Sequence, residues 1–164
     1  MTLLTPYILG SGLAGTAVAE AFALLSLTDK ELRFNPAQHV SRDTKLKDLS
    51  LNKDSVVCIA NPSALHAPRL IEAVEAGAGL VICEKPTSVD KAQLNQLQKA
   101  EGKVAVFYVY RQLWGIQKLR QLIEEGVFGN IAAIDGKLWQ SSRVGHFTKS
   151  AAPAQKREWV GDVS

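Results

Sequence analysis

The 164-residue sequence has only two cysteines, and its 19 basic and 16 acidic residues nearly cancel. Cys58 and Cys83 are too few for a disulfide scaffold. Both lie in strand-like runs, where free buried thiols on neighbouring strands and a reducing, cytoplasmic setting are the plain expectation. The excess of +3 charges is spread along the chain and gives nucleic acid no basic patch to bind. No internal repeat or low-complexity tract is visible. No charge occurs from Met1 to Ala19, yet no basic segment precedes that apolar stretch, and Gly10, Gly12, Gly15 and Glu20 interrupt it. It reads as core, not as a signal peptide or membrane anchor. A composition 46% hydrophobic and 21% charged suits a soluble globular protein of one ordinary domain and a little more.

Short apolar runs at 7–9, 32–34, 56–60, 80–83 and 104–109 are predicted strands. Helical patterns fall between or after them at 13–27, 64–76, 92–100 and 113–125. Ser63 is the expected cap of the second helix; Ser88 is that of the third, with Asp90 in its first turn. Uninterrupted apolar strands alternating with helices predict an α/β domain with a doubly wound parallel sheet. The stretch 35–54 is polar, with a weak helical hint at 46–49. After Gly129, IAAIDGKLWQ reads as a long strand, and 141–164 as a polar, unpatterned and mobile tail.

Three segments carry chemistry. The first is YILGSGLAG, a strand, then Gly10-x-Gly12-x-x-Gly15, then a helix, with Ser11, Leu13 and Ala14 completing the loop. Gly10 permits the tight turn, Gly12 lets backbone approach a pyrophosphate, and Gly15 lets helix pack on strand. The helix N-terminus offers unpaired N–H groups to the phosphates. A glycine-rich turn without a ligand is the plainer alternative, and the position at the first strand–helix junction favours dinucleotide binding. An acid for the ribose hydroxyls is expected about 20 residues later; Phe34, Asn35 and Pro36 stand there instead. The second segment is NPSALH, in which Asn61 and Pro62 make a turn and His66 falls in the first helical turn. By position alone His66 reads as a surface histidine. The third is VICEKP, where Glu84, Lys85 and Pro86 leave a buried strand at the edge where ligands of parallel sheets sit. Lys85 is either an ammonium at a pocket rim or an ordinary exposed lysine beside Glu84. Pro86 would fix the turn, through a cis bond if need be.

The order GSGLAG, NPSALH, EKP, VFYVYR and LRQLIEEGVFGNIAAIDGKLW resembles the Gfo/Idh/MocA family of oxidoreductases, from about Tyr7 to Gln140. The resemblance implies a Rossmann-like domain binding NAD or NADP over 1–115. A linker helix and the first strand of a second, truncated α/β domain would occupy 116–164. It implies that Asn61, Pro62 and His66 line the cofactor with the glycine loop and Asn35, and that Glu84 and Lys85 lie near the nicotinamide and substrate. Lys85 is the catalytic candidate, and Arg111 matches the arginine that follows the last strand of the first domain. No metal is called for. The implied partner is a small polyol or sugar-like substrate, and homo-oligomers form through the second domain. Three departures stand out. The segment after Phe34 is short by about one helix, Trp114 replaces a common proline, and the G-G-x-x-x-D-x-x-x-H segment with the usual catalytic Asp and His is missing, as in a truncated enzyme. The alternatives are a non-catalytic dinucleotide-binding sensor or partner-binding module, and an α/β scaffold without cofactor.

Overall fold

A computed structural model of the chain describes residues 2–100 and 102–137. The chain divides between Tyr108 and Val109 into two compact units. In chain order the first holds β1 (Thr2–Leu9), α1 (Leu13–Thr28), β2 (Leu32–Phe34), β3 (Gln38–Val40), β4 (Ser55–Ile59), α2 (His66–Glu75), β5 (Leu80–Glu84), α3 (Lys91–Leu97) and β6 (Val104–Phe107). The second holds α4 (Trp114–Glu124). All strand pairs are parallel, in the order β2–β1–β4–β5–β6, and β3 also pairs with β1. Among the described residues no helix is long and apolar enough to cross a membrane.

Every residue of β4 is buried, and its side chains alternate between two cores. Val57 and Ile59 join Leu9, Val81, Cys83 and the α2 residues Leu70 and Ala73 on one face. Val56 and Cys58 join Ile8 and the α1 residues Val18 and Phe22 on the other. Phe22 also packs on Phe34, with ring centroids 4.9 Å apart. Helices on both faces explain why these strands are apolar at consecutive positions. The doubly wound parallel sheet expected from the sequence is present.

The second strand differs from expectation. Thr5 N–H donates to Asp54 O at 2.9 Å, so the nitrogen of Pro6 faces the opposite neighbour, where β2 and β3 lie. Pro6 brings no N–H to that side, and Pro36 follows directly on the residue that bonds back to β1. The register slips there. Leu4 pairs with Phe34, but Tyr7 pairs with Gln38, so Asn35, Pro36 and Ala37 oppose only Thr5 and Pro6. This is a one-residue bulge. Asn35 pins it, its N–H donating to Leu4 O at 2.8 Å and its Nδ2 to Thr5 Oγ1 at 2.9 Å. The second strand therefore does not end at Phe34. It resumes as β3 and ends at Val40, opposite Leu9.

Smaller corrections have local causes. The last strand stops at Phe107, not Val109, because its partner β5 ends at the Glu84–Phe107 pair. The third helix is capped by Asp90, whose Oδ1 accepts the Ala92 N–H at 2.8 Å, while Ser88 Oγ accepts the Asp90 N–H at 3.0 Å. Ser63 opens a 3-10 turn (Ser63–Leu65) and makes no side-chain cap for α2. In IAAIDGKLWQ, residues 131–137 form no strand and are exposed, Ile134 at 76%. A strand needs a ladder partner, and none adjoins these residues among those described. Leu138, Trp139 and Gln140, with the tail 141–164, lie outside the described residues.

Cys58 and Cys83 occupy adjacent strands but face opposite cores, which forbids a bridge. Both are free. Burial pushes each thiol from 9.0 up to about 12, and the Glu84 carboxylate adds to the rise at Cys83. A thiol reagent at neutral pH should therefore count none in the folded protein and two after unfolding. Only the unfolded chain ionises readily, so the stability due to these neutral thiols is intact below 9.0 and erodes as pH climbs toward 12. Fast labelling of the native protein would contradict both placements.

Candidate cofactor site

The three glycines after β1 divide by what surrounds them. Gly10 has φ +115°, and a Cβ there would lie 2.4 Å from the carbonyl oxygen of Ala60. A Cβ on Gly15 would lie 2.0 Å from Gly10 O. Both positions are closed to side chains by backbone, which seats α1 against the ends of β1 and β4. Gly12 is different. Its backbone is extended, and a Cβ would meet nothing within 4 Å. Gly12 is also the N-cap of α1, which has no side-chain cap and no acid in its first turn. The first amide bonded within the helix is Thr16 N–H, to Gly12 O at 3.0 Å. The earlier N–H groups and the positive end of the helix dipole are left for an anion, with open space before them. Ser11, Leu13 and Ala14 flank that space and are exposed.

The next strands bring polar groups to the same edge. Asn61 follows β4, and its backbone nitrogen lies 2.9 Å from where a Gly10 Cβ would be. Its Oδ1 is buried and has no hydrogen-bond partner among the described residues. A buried acceptor left unmatched is costly, and a donor arriving with a ligand removes that cost. Pro62 beside it is exposed. His66 is 2% exposed and so is not the surface histidine its position suggested. Its Nδ1 lies 2.6 Å from Pro86 O and its Nε2 2.7 Å from Asn61 O. Both partners only accept, so a singly protonated ring donates to one of them and an imidazolium to both. Either way His66 ties the loop after β4 to the loop after β5. It stands behind these loops with both ring nitrogens engaged.

After β5, half-buried Glu84 accepts the Lys85 N–H through Oε2 at 3.2 Å, Lys85 is exposed, and the Lys85–Pro86 peptide is cis. Because β1, β4 and β5 are neighbours, the glycine loop, Asn61, Glu84 and Lys85 share one sheet edge. These residues fit a dinucleotide: an open cradle at Gly12, free helical amides for its phosphates, and an orphaned acceptor for a ribose or carboxamide donor. Asn35 is not brought there. It sits in the bulge beside Thr5, roughly 16 Å back along β1 from Gly10. Arg111 lies in a 3-10 turn of the second unit (Val109–Gln112), its carbonyl accepting from Gln117 Nε2. Ser41 and Arg42 do follow the second strand at this edge. Sequence reasoning misses them because two prolines hide the strand that leads to them; Val40, alone apolar among polar neighbours, is the available signal.

Gly10→Ala and Gly15→Ala should each cost about 2 kcal/mol or more in urea unfolding, whereas Gly12→Ala should cost little. Equal losses at all three positions would show that Gly12 is held by packing as well. His66→Ala should lose about 2–4 kcal/mol, because it opens a cavity and strips two carbonyls of their partner. An unchanged midpoint would show that the tie bears no load.

Residues 8–111 match the model of an oxidoreductase family with an NAD-binding Rossmann fold, Gfo/Idh/MocA. An uncharacterised oxidoreductase of Bacillus subtilis, YfiI, is 37% identical over 84 residues, 49% of this chain and 21% of that protein. Levoglucosan dehydrogenase of Pseudarthrobacter phenanthrenivorans is 35% identical over 89 residues, 52% of this chain and 23% of that one. A solved levoglucosan dehydrogenase in complex with NADH and L-sorbose superposes with TM-score 0.65 at 25% identity, over 80% of this chain and 41% of its own. The chain thus spans well under half the length of these relatives. With a family match over most of its length, on a doubly wound sheet with an open glycine loop, the chain belongs to the Gfo/Idh/MocA oxidoreductases and carries their NAD-binding domain.

Proposed function

We propose that this chain provides the cofactor-binding part of an NAD(P)-dependent dehydrogenase acting on a small polyol or sugar-like alcohol. One juxtaposition supports this best: the open Gly12 cradle, the orphaned Asn61 acceptor and Lys85 leave three adjacent strands at one edge. Residues 1–115 form the cofactor domain, and 116–164 the linker helix and the start of a substrate domain. The substrate class is supported by the relatives, which include a levoglucosan dehydrogenase and a structure of one holding L-sorbose.

When bound, the nicotinamide supplies the hydride acceptor or donor. The chain's own groups bind and orient. The Gly12 backbone and the first amides of α1 hold the pyrophosphate, and Asn61 Oδ1 accepts from the carboxamide or a ribose hydroxyl. Oxidation of an alcohol removes a hydride from the carbinol carbon and a proton from its oxygen. Lys85 stands at the rim to polarise that oxygen or receive that proton, Glu84 borders it, and His66 fixes the loop that carries both.

Binding is the direct test, because these 164 residues contain no G-G-x-x-x-D-x-x-x-H segment. Titration with NADH and NADPH, followed by nicotinamide fluorescence, should saturate. Gly12→Val should weaken binding at least about tenfold by filling the cradle. An equal response from both proteins would reject the site. NAD(P)+ reduction over a polyol panel should be negligible for this chain by itself, and robust turnover would show that no further Asp and His are needed.

A further inference from the structure

We infer that the dinucleotide this chain prefers is the 2′-phosphorylated one, NADP(H), and that Ser41 and Arg42 receive its 2′-phosphate. This rests on the cofactor assignment above and adds which form is taken. In doubly wound sheets the adenosine ribose lies at the end of the second strand. An acid there bonds the 2′-hydroxyl of NAD, whereas a nearby arginine accommodates the 2′-phosphate of NADP. The bulge decides which residues occupy that place. Because Val40 pairs with Leu9, Ser41 leaves the sheet beside Gly10, followed by Arg42. A hydroxyl and a guanidinium stand where NAD binding calls for a carboxylate.

The segment is built to present them. Thr44 N–H donates to Ser41 O at 3.2 Å, closing a turn with Arg42 and Asp43 at its corner. Arg69 of α2 donates Nη2 to Arg42 O and Nη1 to Thr44 O at 2.9 Å. Its guanidinium is fixed by Glu72 at 2.7 Å, and Glu72 Oε1 accepts the Leu46 N–H at 2.7 Å. The backbone of the turn is thus held from behind by a largely buried arginine, while the Arg42 side chain is exposed and makes no ion pair among the described residues. A rigid turn carrying an uncommitted guanidinium is suited to a dianionic phosphate, which it can grip through two N–H groups. Asp43 is the competing group, since its carboxylate could accept from an unmodified ribose instead.

Competition separates these possibilities. The intact chain is titrated with NADPH and with NADH, and bound nucleotide is then displaced with 2′,5′-ADP or 5′-AMP, which carry no nicotinamide. NADPH and 2′,5′-ADP should each bind about tenfold or more tighter than NADH and 5′-AMP, and raising salt should narrow the gap. Arg42→Ala should bring the pairs to parity while leaving NADH affinity and the unfolding midpoint unchanged. Ser41→Asp should reverse the preference. Asp43→Asn should leave NADPH binding intact or tighten it. Equal or tighter binding of NADH, loss of NADH affinity in Asp43→Asn, or an equal loss for both nucleotides in Arg42→Ala would overturn the inference. If neither nucleotide binds, the cofactor assignment fails with it.

Discussion

Everything at the cofactor edge is hung from a place where two backbones meet with no room between them. Gly15 backs onto the carbonyl of Gly10, and Gly10 backs onto Ala60, at distances no Cβ could enter. That contact fixes the first helix against two central strands at once. It also sets the angle at which the helix N-terminus opens, and so where a phosphate can lie. Gly12 contributes nothing to that packing and stands beside the space it creates. One motif thus contains two kinds of glycine, required for different reasons.

His66 has the corresponding role beyond the neighbouring strands. Its ring fills the space between the Asn61 and Pro86 carbonyls and couples the loops that follow β4 and β5. A residue that looks like a ligand in sequence can serve a site by standing behind it. The polar atom left for a ligand is the neighbouring Asn61 Oδ1.

The central region of the fold is legible in the sequence because β4 and β5 are covered on both faces. Their apolar runs announce themselves, and the glycine loop and the charged exit at Glu84–Lys85 follow from adjacency. The second strand is legible only as far as Phe34. It is split by a bulge, carries two prolines nearby, and has mostly exposed side chains at Gln38 and His39. Asn35 therefore reads as an edge residue when it is an interior pin. His66 is illegible for another reason: nothing local distinguishes a surface histidine from one held between two carbonyls supplied by separate loops. The predicted strand after Gly129 fails where alternation in sequence has no neighbour to pair with among the described residues.

The bulge also governs how such a chain can change. Side chains on a strand alternate faces, so continuing the Leu4–Phe34 pairing without the bulge would shift β3 by one position. His39 would then stand where Val40 packs, opposite Leu9, and Val40 would be the first residue past the sheet. The extra residue works as a spacer, setting which side chain first leaves the sheet beside Gly10 while β1 and its glycines stay as they are. Deleting one residue at Asn35–Ala37 would straighten the strand and leave Val40 opposite Leu9, so length can change there without moving the residues that follow the sheet.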